Sequence, residues 1–162
     1  MERFASSVVN NVDKKGRVSI PAAFRAALGK HASLHCLMSL EHPVVEAGGP
    51  TMTAMYEKRL ELMDPLSEEF ELWSHHILGD SVELKLDSEG RIMLNDRIRE
   101  QTGIEDRVLF EGRGLSFWLW EPTRYEAYRN NARERVREMR RQLGSASGAS
   151  AGSTGQSGRA GT

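Results

Sequence analysis

Cysteine is nearly absent from this sequence. Cys36 stands alone, so an internal disulfide is excluded and a reducing compartment fits. Long apolar runs are absent as well. No stretch of about 18 apolar residues occurs, so no membrane-spanning helix is expected. Excess charge of one sign is also missing, with 22 Lys and Arg against 23 Asp and Glu and a net charge of −1. The chain is not a polycation, and any nucleic-acid site must be a local patch. The first residues carry Glu2, Arg3, Lys14, Lys15 and Arg17 with no apolar run between them, so a secretory signal is not expected. There is no Gly-rich phosphate loop, nucleophile elbow or paired catalytic motif. An enzyme is therefore not expected, and neither a cofactor nor a small-molecule substrate is indicated. His31, His35, His42, His75, His76 and Cys36 offer no ligand pair at zinc spacing, and adjacent histidines do not share a helix face. No metal site follows from them.

What the sequence does have is a repeat. Val12-Asp13-Lys14-Lys15-Gly16-Arg17-Val18-Ser19-Ile20-Pro21 recurs as Leu86-Asp87-Ser88-Glu89-Gly90-Arg91-Ile92-Met93-Leu94-Asn95, so that Asp13 and Asp87 lie 74 residues apart. Such self-similarity decides the fold and is read first. In each copy Asp suits the first turn position and Gly supplies a positive φ. Each copy therefore reads as a tight hairpin, with Val18 and Ile20 on one face and Arg17 and Ser19 on the other.

The same order continues downstream. Pro21 opens a short helix through Leu28 that Gly29 ends. Arg97–Thr102 is its counterpart, with Gly103 in the place of Gly29. Strands are expected at Phe4–Val12, Ser33–Leu40 and Pro43–Glu46, then at Arg107–Glu111 and Ser116–Glu121. An ungapped register is expected from Asp13 to Glu46 and from Asp87 to Trp120.

Helices follow each copy. Met52, Met55, Tyr56, Arg59 and Met63 trace one face, Pro65 breaks it, and Leu66, Phe70, Trp73 and Ile77 trace a second. Tyr125, Tyr128, Ala132, Val136, Met139 and Leu143 trace a third. These stripes are expected to pack. The first pair of helices is acidic and the last is rich in arginine, so they suit each other or neighbouring subunits. The boundaries are 1–78 for the first copy with its helices, 79–143 for the second with its C-terminal helix, and 144–162 for a Gly/Ser-rich tail expected to be disordered.

A copy of about 40 residues cannot bury a full core alone. Two copies therefore predict pseudo-twofold pairing of interleaved hairpins in one small barrel, a mainly β fold with helices (α+β), with both tips on one face. The first tip groups Lys14, Lys15 and Arg17, backed by Arg25 and Lys30, with Arg3 nearby in sequence. Such a cluster neutralises phosphates. Arginine also sets a planar fork on guanine, and a two-stranded ribbon fits the major groove. The second tip keeps Arg91 but has Ser88-Glu89 where the first has Lys14-Lys15. The first is the expected main reader, and the second an architectural partner. An Asp–Arg pair can also do no more than brace its turn.

The paired Asp-x-x-x-Arg motifs, Asp13 to Arg17 followed by Val-Ser-Ile-Pro and Asp87 to Arg91 followed by Ile-Met-Leu, resemble those of the MraZ family of bacterial transcriptional regulators, within the AbrB-like superfamily. The resemblance runs from residue 4 to about 143. It implies a double-split β-barrel of two swapped-hairpin repeats with flanking amphipathic helices. It implies ring-shaped homo-oligomers that bind direct repeats of double-stranded promoter DNA, usually repressing their own division and cell-wall gene cluster. The implied setting is cytoplasmic and nucleoid-associated. The implied DNA-binding residues are Asp13, Lys14, Lys15, Arg17, Asp87 and Arg91, with Arg3 and Arg25 as secondary candidates from the charge pattern. The acidic second tip departs from the family pattern. The alternative is an AbrB-like antitoxin or protein-interaction module with only non-specific DNA affinity, although the tail lacks the apolar anchors that wrapping a toxin needs.

Overall fold

The computed structural model describes residues 3–31 and 33–152, with side chains to residue 146. Among the described residues eight strands and five α-helices follow one another along the chain. In the first copy these are β1 (Ser7–Asn11), β2 (Arg17–Ser19), α1 (Ala22–Leu28), β3 (Ser33–Met38), β4 (Val45–Gly48), α2 (Pro50–Glu61) and α3 (Glu68–Ser74), closed by a π-helical turn at His75–Gly79. In the second they are β5 (Val82–Lys85), β6 (Arg91–Met93), α4 (Asp96–Thr102), β7 (Arg107–Gly112), β8 (Phe117–Trp120) and α5 (Pro122–Gly152). The α+β class is as expected.

The pairing corrects the hairpin expectation. β1 and β2 flank the first tip but are not partners. Instead β1 pairs antiparallel with β7, β5 with β3, and β2 with β6. The tips are closed turns, yet the strands that leave them go to different ladders. A local turn signal fixes the reversal of the chain. It does not name the strand that will satisfy the next N–H.

The result is a six-stranded sheet, β1-β7-β8-β4-β3-β5, and a two-stranded ribbon, β2-β6. The ribbon touches both edges of the sheet, β2 at β1 and β6 at β5. Enclosure comes from packing rather than from one continuous closed ladder.

The exchange is a pseudo-twofold. In the ribbon Val18 faces Ile92, while Arg17 faces Met93 and Ser19 faces Arg91. Two backbone bonds repeat the symmetry: Leu94 N–H to the Gly16 carbonyl at 2.9 Å, and Ile20 N–H to the Gly90 carbonyl at 3.0 Å. In the sheet β4 and β8 meet with Glu46 opposite Trp118.

That last register also corrects the ungapped repeat. β3 begins at Ser33 and β7 at Arg107, 74 residues apart, but β4 begins at Val45 and β8 at Phe117, only 72 apart. The loop joining β7 to β8 is shorter by that difference. Alternating apolar residues hid the gap, because a shift of two keeps every side chain on its face.

The core lies between ribbon and sheet. Val18, Ile20, Ile92 and Leu94 bury against Leu34, Cys36, Phe110, Phe117 and Leu119. Phe4, Phe24, Phe110 and Phe117 form an aromatic cluster, with Phe4 and Phe117 centroids 4.9 Å apart. Phe24 brings α1 into it, so losing that ring would cost about 3–5 kcal/mol.

Residues of both copies line this one core. One compact unit runs to Tyr125 and a second begins at Glu126.

The apolar stripes pack only in part. Met52, Leu60 and Ile77 are buried, whereas Leu62 is exposed and Leu66, expected in the second stripe, sits in the turn before α3 at 95% exposure. α3 starts later than the stripe implied, because Ser67 caps it: its hydroxyl oxygen accepts from the Phe70 N–H at 3.1 Å. In the unit beginning at Glu126, Val136, Met139 and Leu143 are exposed. Its helix continues past Leu143 to Gly152, where disorder was expected. The rest of the tail, 153–162, lies outside the described residues. Among the described residues no helix is long and apolar enough to cross a membrane.

Candidate nucleic-acid interface

Each tip is built by one aspartate. Asp13 Oδ1 accepts from the backbone N–H groups of Lys15 and Arg17, both at 2.9 Å. Its Oδ2 accepts from Arg17 Nε at 2.8 Å. Asp87 does the same with Glu89 N–H, Arg91 N–H and Arg91 Nε, at 2.9, 2.9 and 2.8 Å. Such side-chain turns are what Asp offers in place of a backbone turn.

Gly16 and Gly90 take φ of 84° and 75°, a region that side chains disfavour. The turn bonds close at 3.0 Å, from Gly16 N–H to the Asp13 carbonyl and from Gly90 N–H to the Asp87 carbonyl.

Both carboxyls are held below the ordinary aspartate range. The leading cause is the backbone N–H of Arg17 or Arg91, which outweighs an opposing desolvation. Asp13 and Asp87 are thus committed to their own turns. They shape the site and anchor each arginine through Nε, and Arg91 also turns Nη2 toward Glu89 at 3.4 Å.

The ribbon then arrays those arginines. Val18 and Ile92 point into the core, so by strand alternation Arg17, Ser19, Arg91 and Met93 share the opposite, solvent face. Arg17 lies across from Met93 and Arg91 across from Ser19, which makes the two arginines diagonal neighbours. The structure therefore brings both predicted tips to one face, and Asp13 is close enough that its charge helps hold Arg91 protonated, after the stronger effect of Asp87. Lys14 and Lys15 are exposed beside Arg17.

The other candidates separate. Arg3 is exposed, but Phe4 bridges Gly114 in the loop between β7 and β8. β1 runs between that end and the first tip, so Arg3 is not part of the tip. Arg25 reaches the second tip, not its own: its Nη1 donates to the Glu89 carbonyl at 3.3 Å.

Arg99, its counterpart 74 residues on, leans over Gly16. It also donates from Nη1 to the Glu105 carbonyl at 3.0 Å. Sequence reasoning missed Arg99, although the repeat aligned it with Arg25.

The two tips differ electrostatically. Arg17 has no carboxylate partner besides Asp13 among the described residues, while Arg91 also meets Glu89 at 3.4 Å. The first tip exposes three cations around one carboxylate, and the second sets one arginine between two carboxylates.

The remaining candidate ligands have other roles. Glu46 accepts from Ser116 Oγ at 3.1 Å and from Tyr56 Oη. That contact and burial push the tyrosine hydroxyl well above its usual range, burial leading. Cys36 is buried and its thiol is pushed up to about 12 by burial. His35 Nε2 lies 3.1 Å from the Ile77 carbonyl. Among the described residues, no group of three His, Cys, Asp or Glu could hold a metal ion.

A family model described as "MraZ protein, putative antitoxin-like" matches residues 77–143. The transcriptional regulator MraZ of Azorhizobium caulinodans is 41% identical over 150 residues, covering 91% of this chain and 96% of that protein. Its namesake in Beijerinckia indica is 40% identical over 147 residues, covering 90% of each. That of Rickettsia canadensis is 37% identical over 148 residues, covering 90% of this chain and 99% of that protein. With that identity across nine-tenths of its length, the chain belongs to the MraZ family.

Proposed function

We propose that the protein is a transcriptional regulator that binds duplex DNA through the solvent face of the β2–β6 ribbon. The observation that carries this reading is the pairing of Arg17 and Arg91 as diagonal neighbours on one exposed face, each pre-oriented by its own aspartate. A two-stranded ribbon matches the major groove, about 12 Å wide. Lys14 and Lys15 extend the positive edge of that face toward the phosphates. An arginine fixed at Nε loses little freedom on binding.

On this reading Arg17 is the chief base reader, and Lys14 and Lys15 set affinity. Arg91 is the lesser partner, and Asp13 and Asp87 hold the tips in shape. The names of the relatives support a regulator of transcription. The family resemblance extends the reading to repeated boxes upstream of the protein's own division and cell-wall gene cluster, repressed by a ring of subunits in the cytoplasm and at the nucleoid. Exposed Leu62, Leu66, Leu72, Trp73 and Leu78 in and around α3, and exposed Val136, Met139 and Leu143 on α5, suit burial against further copies. Multiple subunits on repeated boxes would add weak contacts through effective concentration.

A nuclease footprint over the region upstream of the gene tests the proposal. Protection of short, regularly spaced repeats is the expected result. Uniform protection, or none, would contradict specific reading and favour the protein-interaction alternative.

A further inference from the structure

We propose that the second tip is a composite phosphate-binding site, in which Arg25 of the first copy supplies the cation that the tip's own sequence lacks. This rests on the DNA-binding reading above.

The second tip alone is a poor anion site, with Asp87 and Glu89 flanking Arg91. Arg25 enters from α1, an element of the other copy. It stays exposed and donates from Nη1 to the Glu89 carbonyl at 3.3 Å. Its aliphatic stem crosses Gly90 so closely that a Cβ there would stand 2.4 Å from Arg25 Cδ. The glycine thus serves twice, allowing the positive φ and leaving room for the crossing side chain. Among the described residues no carboxylate pairs with Arg25, so its charge is not spent inside the protein.

The pseudo-symmetric position shows that this is not a general brace. Arg99 lies over Gly16, with Nη2 3.3 Å from where a Cβ would be. However, it is half-buried and bonded to the Glu105 carbonyl at 3.0 Å and the Ile104 carbonyl at 3.5 Å. Arg99 is held in the framework, beneath a tip that already has Lys14 and Lys15. Among the described residues the Arg25 guanidinium is held by the second tip, at the Glu89 carbonyl. The copy with acidic residues at its tip has the freer arginine across it. Charge missing from one copy is returned by the other, and the strand exchange puts it in reach.

The test is a double-mutant cycle on the full chain with a fluorescent duplex from upstream of the gene, read at several salt concentrations. Arg25→Ala should weaken binding about 5- to 10-fold and reduce the salt slope by about one. Its loss should be less than additive with Arg91→Ala, because both act at one tip, and additive with Arg17→Ala. Arg25→Lys should restore the slope, which a purely structural role would not do. Amide exchange of the free protein gives a second readout, with Gly90 and Arg91 exchanging faster in Arg25→Ala while core amides stay protected. A folded Arg25→Ala that binds as wild type does, or is additive with Arg91→Ala, overturns the composite site alone. Failure of wild type to bind duplex at all would instead overturn the DNA reading.

Discussion

The two tips share one backbone and differ in charge. Asp13 and Asp87 make the same three hydrogen bonds, at matching distances within 0.1 Å. Gly16 and Gly90 take the same left-handed conformation. Yet Lys14-Lys15 became Ser88-Glu89, and Ser19 became Met93 on the ribbon face. The requirement to fold holds Asp, Gly and Arg in both copies. Surface positions that do not build the turn are free to diverge, so they are where two halves of one platform can acquire different tasks. On the proposed reading one tip binds strongly and reads, and the other aligns.

Substitutions can break that comparison. The largest effect is expected from Arg17→Ala, which should lower affinity for the cognate duplex by 10- to 100-fold, in line with about 1–3 kcal/mol for a good arginine–base contact. Arg91→Ala should cost several-fold less in the same titration. Converting the first tip to the second, with Lys14→Ser and Lys15→Glu together, should flatten the salt dependence by about two to three units of slope. Its effect on cognate and unrelated duplexes should be nearly equal, because these lysines meet phosphates. The reverse change, Ser88→Lys with Glu89→Lys, should steepen the slope and raise non-specific affinity.

Smaller effects sharpen the comparison at the level of stability. Asn95 Oδ1 caps α4 by accepting from the Ile98 N–H at 3.0 Å, whereas Pro21 gives α1 no such bond. Asn95→Ala should therefore lower stability by about 1 kcal/mol in chemical denaturation. No equivalent loss is available at α1.

Acid should erase both tips alike. Asp13 and Asp87 have folded values below their unfolded ones, so their contribution is present above the ordinary aspartate value of about 3.9 and is lost as pH falls through the lower folded value. The amides of Lys15, Arg17, Glu89 and Arg91 should lose their carboxylate acceptor together in that acid window, as an NMR pH titration would show. Loss of one tip well above it would contradict the shared brace.

Much of this was legible in sequence, for reasons that differ by element. The turns were legible because Asp and Gly act on residues next to them. The short helices were legible because Pro21 and the glycines at 29 and 103 mark their ends. That the two copies interleave followed from the repeat, but which strands pair did not, because the partner of β1 lies about 100 residues away and nothing local distinguishes β2 from β7. The shortened loop between β7 and β8 escaped because alternating apolar residues tolerate a two-residue slip. Arg25 was read as a charge backing its own tip, since proximity in sequence was the only measure of proximity available. In the structure it contacts the tip of the other copy, at the Glu89 carbonyl. Leu66 and Trp73 followed a helical period, yet α3 begins only after the Ser67 cap and leaves both exposed.

The central claim is that one ribbon face presents two unequal arginine tips to DNA. A parallel salt titration of wild type, Arg17→Ala and Arg91→Ala on cognate and scrambled duplexes tests it most directly. The account predicts that wild type prefers the cognate duplex, that Arg17→Ala loses that preference while remaining folded, and that Arg91→Ala keeps part of it. Equal binding by all three proteins, or a larger loss from Arg91→Ala than from Arg17→Ala, would contradict it.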